Sequence, residues 1–307
     1  MSSASSEHRL FLGIFIAIVA YFCLSSAAAL VWNFQDRFPT IQIIFVQNVV
    51  SFFCILPIAL RRGWQHLKTE ELPTHLMRDI FGVASYYLYF LAIRFLNLLD
   101  AAVLNNTTPF FVPLFWWLWT YEKVEKQIWW SIIIGFIGVA FILNPTQEIF
   151  QLGFIFGCFA GVCSAVALIA VRILGMKREP ISRTLFYYFS ISAILSFPFA
   201  WASWVPPSGK EWLFVFGIGI CMAAGQMFLT IAYRYGTAAF LSPLCYFSVI
   251  FNGMAGTFIF GATLTLRSYI GTGLIILGGT LTYLWKRKPK SLKETFERPD
   301  KDKKPPI

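Results

Sequence analysis

The sequence predicts an all-α integral membrane protein, ten transmembrane helices arranged as two inverted five-helix repeats. Three observations predict it. Of 307 residues, 57% are hydrophobic and 13% charged, where an ordinary globular domain carries about 25% charge. The apolar residues gather into ten runs close to the ~20 residues that span a bilayer. The last five runs echo the first five at a period near 140.

Taken in order, the first run, Leu10–Trp32, is long and uninterrupted and has no small-residue cleavage site, so it is expected to span rather than to be removed. Ile41–Leu60 is the second and contains Gln47, Asn48 and Ser51. Met77–Phe95, the third, carries Tyr86, Tyr87 and Tyr89; Tyr86 and Tyr89 lie three apart and share a helix face. The fourth, Ala101–Tyr121, holds Asn105, Asn106, Thr107 and Thr108 just before Pro109. Gln127–Leu143, Leu152–Val171 and Thr184–Trp204 follow as apolar spans. Trp212–Tyr233 has Gln226 beside Gly225, Ala238–Phe260 has Ser242-Pro243 and Tyr246, and Ser268–Trp285 completes the set. Trp32, Trp129, Trp130, Trp201 and Trp204 fall near span ends, where an interfacial belt is expected. The chain divides into a cytoplasmic N-terminus (1–9), a first repeat (10–147), a second repeat (148–286) and a basic cytoplasmic tail (287–307).

The repeat is visible in single residues. Gly13, Ala20 and Cys23 match Gly153, Ala160 and Cys163; Phe45 and Pro57 match Phe186 and Pro198; Ala92 to Phe95 match Ala232 to Tyr235. Five spans per half is an odd number, so halves sharing a fold sit in opposite orientations. The net charge of +10 is explained by topology. With a cytoplasmic N-terminus, 21 of the 25 Lys and Arg fall inside and only Arg37, Arg94, Lys210 and Arg267 outside, as the positive-inside rule requires. That leaves the charge with no need of a nucleic-acid partner. Arg94 and Arg234, repeat partners at opposite mouths, are expected to reach toward headgroups.

The order of motifs resembles the EamA-type transporters of the drug/metabolite transporter superfamily. The residues are Arg78 and Gly82, Ala101-Ala102, Thr108-Pro109-Phe110, Glu122 and Gly138 in the first half, then Ser242-Pro243-Leu244 with Tyr246, Phe260-Gly261, Gly271 and Gly278 in the second. The resemblance covers residues 10–286. It departs from the family pattern at Ala262, where the second repeat would carry Glu. It implies a multi-pass carrier of the bacterial inner membrane, working by alternating access, with both termini cytoplasmic. The implied substrate is a small polar metabolite, an amino acid or an S-adenosylmethionine-like molecule.

No catalytic constellation, phosphate loop or metal-ligand spacing is present, so no enzyme activity, cofactor or metal is expected, and the six cysteines read as packing residues. What remains are polar and aromatic groups inside spans, which hydrocarbon cannot satisfy and which therefore face protein, substrate or water. Pro109 removes the hydrogen bond to the Asn105 carbonyl and frees that oxygen. The expected substrate-binding set is Gln47, Tyr86, Tyr89, Asn105, Asn106, Thr108, Gln226, Ser242 and Tyr246. Asp79, Asp100, Glu122 and Glu125 read as lying at membrane borders. With no carboxylate at a span centre, transport is expected to be facilitated diffusion or exchange. The competing reading is a non-transporting membrane scaffold or assembly protein, whose interior would be dry. The partners are a small-molecule substrate and the lipid bilayer, with the chain acting as a monomer or homodimer.

Overall fold

The computed structural model describes residues 3–34, 36–61, 63–96, 98–120, 126–143, 152–236 and 238–259, with isolated positions between 266 and 281. The tenth predicted span, the basic tail, Glu122 and Ala262 lie largely or wholly outside the described residues.

All described elements are helical: α1 (Ser3–Phe34), α2 (Thr40–Leu60), α3 (Leu72–Phe95), α4 (Leu98–Asn105), α5 (Thr108–Thr120), α6 (Lys126–Leu143), α7 (Leu152–Met176), α8 (Ile181–Ala202), α9 (Glu211–Tyr235), α10 (Ala238–Leu241) and α11 (Phe247–Phe258). Six of them, α1, α2, α3, α7, α8 and α9, contain stretches long and apolar enough to cross a bilayer. Large apolar side chains such as Phe53, Ile194, Phe199, Trp201 and Leu213 are left exposed on their outer faces, the surface expected where lipid is the solvent.

The fourth and ninth predicted spans are not continuous helices. α4 stops at Asn105 and α5 restarts at Thr108, with Asn106 and Thr107 in the turn between them. The break is written in the sequence, because Pro109 can neither donate to Asn105 nor fit against its carbonyl. In the second half α10 and α11 flank a tight 3-10 segment, Ser242–Tyr246, around Pro243.

The halves interlock by pseudo-twofold exchange. α3 packs on α7 and α1 on α9; α2 meets α8. The close crossings are repeat equivalents. A Cβ added at Gly13 would lie 2.7 Å from Tyr235 Cβ, and one added at Gly153 would lie 2.8 Å from Phe95 Cβ. Glycine at both crossings lets the helix backbones approach, as small residues do throughout membrane bundles.

The connections show how the halves run. Lys177 pairs with Glu71 at 2.6 Å, Thr69 donates to Glu179 at 2.7 Å, and Arg183 donates to the His66 carbonyl at 2.6 Å. These contacts put the α2–α3 and α7–α8 connections at one end of the bundle. At the other end Arg37 pairs with Glu211 at 3.3 Å, and the Gln42 amide exchanges two hydrogen bonds with the Val205 backbone, 2.6 and 2.8 Å. The α1–α2 and α8–α9 connections therefore share that end, and α1 and α7 run in opposite directions.

Arg94 and Arg234, both exposed, each donate to a backbone carbonyl. The Arg94 guanidinium donates to the Phe38 carbonyl at 2.6 Å, and that of Arg234 donates to the Glu179 carbonyl. Phe38 and Glu179 are themselves repeat equivalents, each preceding the proline that opens the second helix of its half, Pro39 and Pro180. Both arginines are thus spent clasping helix three of a repeat to its own first connection.

Candidate functional site

Between the halves lies a cleft with an empty volume of about 890 Å³, its open mouth included. α1 contributes Tyr21 and Ser25; α3 contributes Arg78, Gly82, Ser85, Tyr86 and Tyr89; the α4–α5 break contributes Asn105, Asn106 and Thr108. Ser164 comes from α7, Tyr188 from α8, Gln226 from α9, and Ser248 and Asn252 from α11.

The α3 contribution follows from helical period. Positions 78, 82, 85 and 89 fall on one face, and that face is turned inward. Gly82 gives Tyr188 room, since a Cβ there would lie 3.0 Å from its ring edge. The Arg78 guanidinium stacks on the Tyr188 ring, 3.6 Å from its centroid. Its Nη2 donates to Gln226 Oε1 at 2.9 Å, and Gln226 Nε2 donates to the Tyr86 hydroxyl at 3.0 Å. Tyr86 and Gln226 are repeat partners 140 positions apart, so this hydrogen bond sits on the pseudo-twofold axis. Arg78 Nη1 faces Asp79 Oδ1 at 3.3 Å, while Arg78 Nε and Asp79 Oδ2 have no hydrogen-bond partner.

Around the break, Thr108 Oγ1 donates to the Asn105 carbonyl at 2.7 Å and approaches the Gly161 carbonyl at 3.2 Å. The oxygen that Pro109 frees is therefore satisfied locally. Asn106 Nδ2 donates to Ser248 Oγ at 2.9 Å, which ties the break to α11. The Asn105 and Asn252 amide oxygens lack a donor.

Six of the nine predicted residues meet at this cleft: Tyr86, Tyr89, Asn105, Asn106, Thr108 and Gln226. Three do not. Gln47 faces a smaller, apolar cleft among Phe34, Phe38, Ile43, Val46, Pro207, Val215 and Ile218, because its side of α2 turns to the opposite end of the bundle. Ser242 is fully buried beside Pro243. The Tyr246 ring packs into the apolar core against α6, where a Cβ on Gly135 would lie 2.3 Å from it; the tight 3-10 turn directs it away from the cleft.

Asp79, near the start of α3, is wholly buried, and His75, one turn before it, is buried too. Pro73 starts α3 at Leu72, five residues before the predicted Met77, and Tyr187 of α8 covers His75 on that extra turn, the ring centroids 4.9 Å apart. Asp79 is nonetheless near the start of α3 and not at its centre, so it adds a buried carboxylate beside the cleft without placing one at mid-span. Arg78 is the residue that sequence reasoning overlooked as a site residue, because it was counted among cytoplasmic cations. Its i, i+4, i+7 relation to Gly82 and Ser85 was the available signal. No cluster of metal-ligating side chains occurs among the described residues.

A family model described as the EamA-like transporter family matches residues 11–144 and 151–284. A pseudopaline exporter of Pseudomonas aeruginosa is 27% identical, covering 88% of this chain and 92% of its own. A riboflavin transporter of Vibrio cholerae is 27% identical, over 89% and 92%. An S-adenosylmethionine uptake transporter of Rickettsia felis is 27% identical, over 82% and 85%. One solved crystal structure superposes with a TM-score of 0.74 at 19% identity, covering 94% of this chain and all of that one, a likeness of fold.

Proposed function

The chain belongs to the EamA-like transporter family, and from that premise we propose that it carries a small polar metabolite across the bacterial inner membrane by alternating access. The spans are ten, in two inverted five-helix repeats, with both termini cytoplasmic. The end bearing Lys177, Arg178 and Arg183 faces the cytoplasm, in keeping with the positive-inside rule. The cleft between the halves is the substrate site. Tyr86, Tyr89, Asn105, Asn106, Thr108 and Gln226, joined by Arg78, replace the water that the substrate sheds.

The observation that carries this reading is the cleft itself: a largely apolar space with a set of converging polar side chains, at the interface of two interlocked repeats, where carriers of inverted-repeat architecture hold substrate. A scaffold would have a dry interface there. The relatives move solutes as different as pseudopaline, riboflavin and S-adenosylmethionine, one by export and one by uptake, so an amino-acid or S-adenosylmethionine-like substrate is proposed on the site's chemistry, and no direction is carried over. The test is counterflow of a labelled metabolite panel in proteoliposomes. Asn105→Ala is expected to lower flux about tenfold, the worth of one or two hydrogen bonds, whereas Tyr246→Phe, outside the cleft, leaves it unchanged. Absence of flux for every metabolite would overturn the carrier reading.

A further inference from the structure

Resting on the reading of this cleft as a substrate site, we propose that it selects amino-acid-like zwitterions, with Arg78 taking the substrate carboxylate and the Asn105 and Asn252 amide oxygens taking its ammonium group. Arg78 is the one formally charged side chain among the described residues that line the cleft, and no Asp or Glu lines it. An anionic group meets a guanidinium that is buried, held flat on Tyr188, and incompletely used.

The state of that guanidinium points to a carboxylate. Its contact with Asp79 is a single hydrogen bond at 3.3 Å, longer than the ~2.7–2.9 Å of a well-formed charge-assisted pair. Adjacent positions on a helix point about 100° apart, which prevents Asp79 from closing a bidentate pair. The 2.9 Å bond to Gln226 is to a neutral amide, and Nε donates to nothing. Nε and Nη2 together form the side-on fork that a carboxylate fills with two parallel hydrogen bonds. A carboxylate taking that fork displaces only the Gln226 oxygen, while Gln226 Nε2 still has the Tyr86 hydroxyl. On the walls formed by α4 and α11 the complement appears: two amide oxygens, on Asn105 and Asn252, with no donor. Acceptors without donors there and a donor without an acceptor at Arg78 are the two kinds of group that a zwitterion needs. Tyr86 and Tyr89 lie beside them on α3, and their ring faces suit the cationic end.

The experiment measures binding and flux separately. Full-length protein in detergent is heated with common amino acids and S-adenosylmethionine, with the matched carboxamides, with the N-acetyl derivatives, and with choline. The free acids are expected to stabilise the wild type with apparent affinity about tenfold to a hundredfold tighter than their amides, the worth of a charged hydrogen-bonded pair. N-acetylation weakens binding as well. In Arg78→Gln the acid and its amide become equal, whereas Arg78→Lys retains part of the preference. Equal stabilisation of the wild type by acid and amide, a preference for choline, or no shift with any acid would overturn the assignment, and each is read on the wild type even if the Arg78 variants do not fold. Acids that bind but give no flux in proteoliposomes would leave the zwitterion site standing and sink the carrier. Flux confined to solutes without a carboxylate would do the reverse.

Discussion

The two halves place Arg78 on α3 where α9 has Ile218, and Asp79 where α9 has Gly219. Across the same pseudo-twofold, Tyr188 on α8 corresponds to Gln47 on α2, and His75 to Val215. One set of equivalent positions gives the main cleft a buried guanidinium, with a carboxylate and an imidazole buried behind it and outside the cleft lining. The other closes a smaller cleft of about 360 Å³ that is apolar apart from Gln42 and Gln47. Where Asp79 leaves a charge, Gly219 lets α9 approach Val50 so closely that a Cβ would lie 2.4 Å away. The backbone framework obeys the repeat, down to the crossing glycines and the two arginine clasps. The chemistry does not. Duplication fixed where helices cross, since backbone approach tolerates few substitutions. It left the side chains facing the cleft free to diverge, so that one end of an inverted pair is charged and the other is sealed by hydrocarbon.

The comparison breaks first at its charged member. Arg78→Met leaves Asp79 buried without its cation and is expected to destabilise the protein by about 3–5 kcal/mol. Ile218→Val, the equivalent shortening in the apolar set, is expected to cost about 1 kcal/mol. Thermal unfolding in detergent measures both, and equal losses would erase the distinction between the ends. Adding Asp79→Asn to Arg78→Met is expected to restore part of the loss, because the stranded charge is removed.

The symmetric part of the comparison is sharpened by its crossings. Gly13→Val and Gly153→Val each push a side chain into the facing helix, and each is expected to cost about 1–3 kcal/mol. The two losses should agree within the error of the same unfolding measurement. A large loss at one and none at the other would mean that the halves do not share their framework.

The smallest effect is at the end that holds Glu71 and Lys177. The Lys177 ammonium, hydrogen-bonded to Glu71, holds that carboxyl below the usual carboxylate range. A depressed acid contributes stability above its unfolded value, near about 4.3, and loses it as pH falls through the lower folded value. The pair is exposed, so Glu71→Gln is expected to cost about 0.5 kcal/mol at neutral pH and nothing once the acid is protonated in both states. An undiminished effect in strong acid would show that the pair does not latch this end by charge.

The polar run at Asn105–Thr108 was legible in the sequence as a feature that lipid could not satisfy, and Pro109 marked the place where the helix breaks. Three of its four residues line the cleft; Thr107 instead abuts α7, where a Cβ on Gly161 would lie 2.3 Å from its hydroxyl. The Tyr86 and Gln226 positions were legible as repeat partners, though nothing local said that they touch. The place of Tyr246 in the core was not legible, because its direction is set by the 3-10 turn, a backbone detail that composition does not encode. The burial of Asp79 and His75 was not legible, because hydropathy averages over a window. A charged turn at a span's end reads as solvated whether water or another helix covers it.

The sequence by itself determined the solvent, the apolar spans and the duplication, because each depends on properties of neighbouring residues or on a period along the chain. Only the tertiary structure decided which faces meet across the two halves, and hence that Arg78 rather than Tyr246 lines the cleft. A helix carries several candidate faces of similar polarity. Which one lines a cleft is fixed by the glycine crossings and connections that lock it against the other repeat.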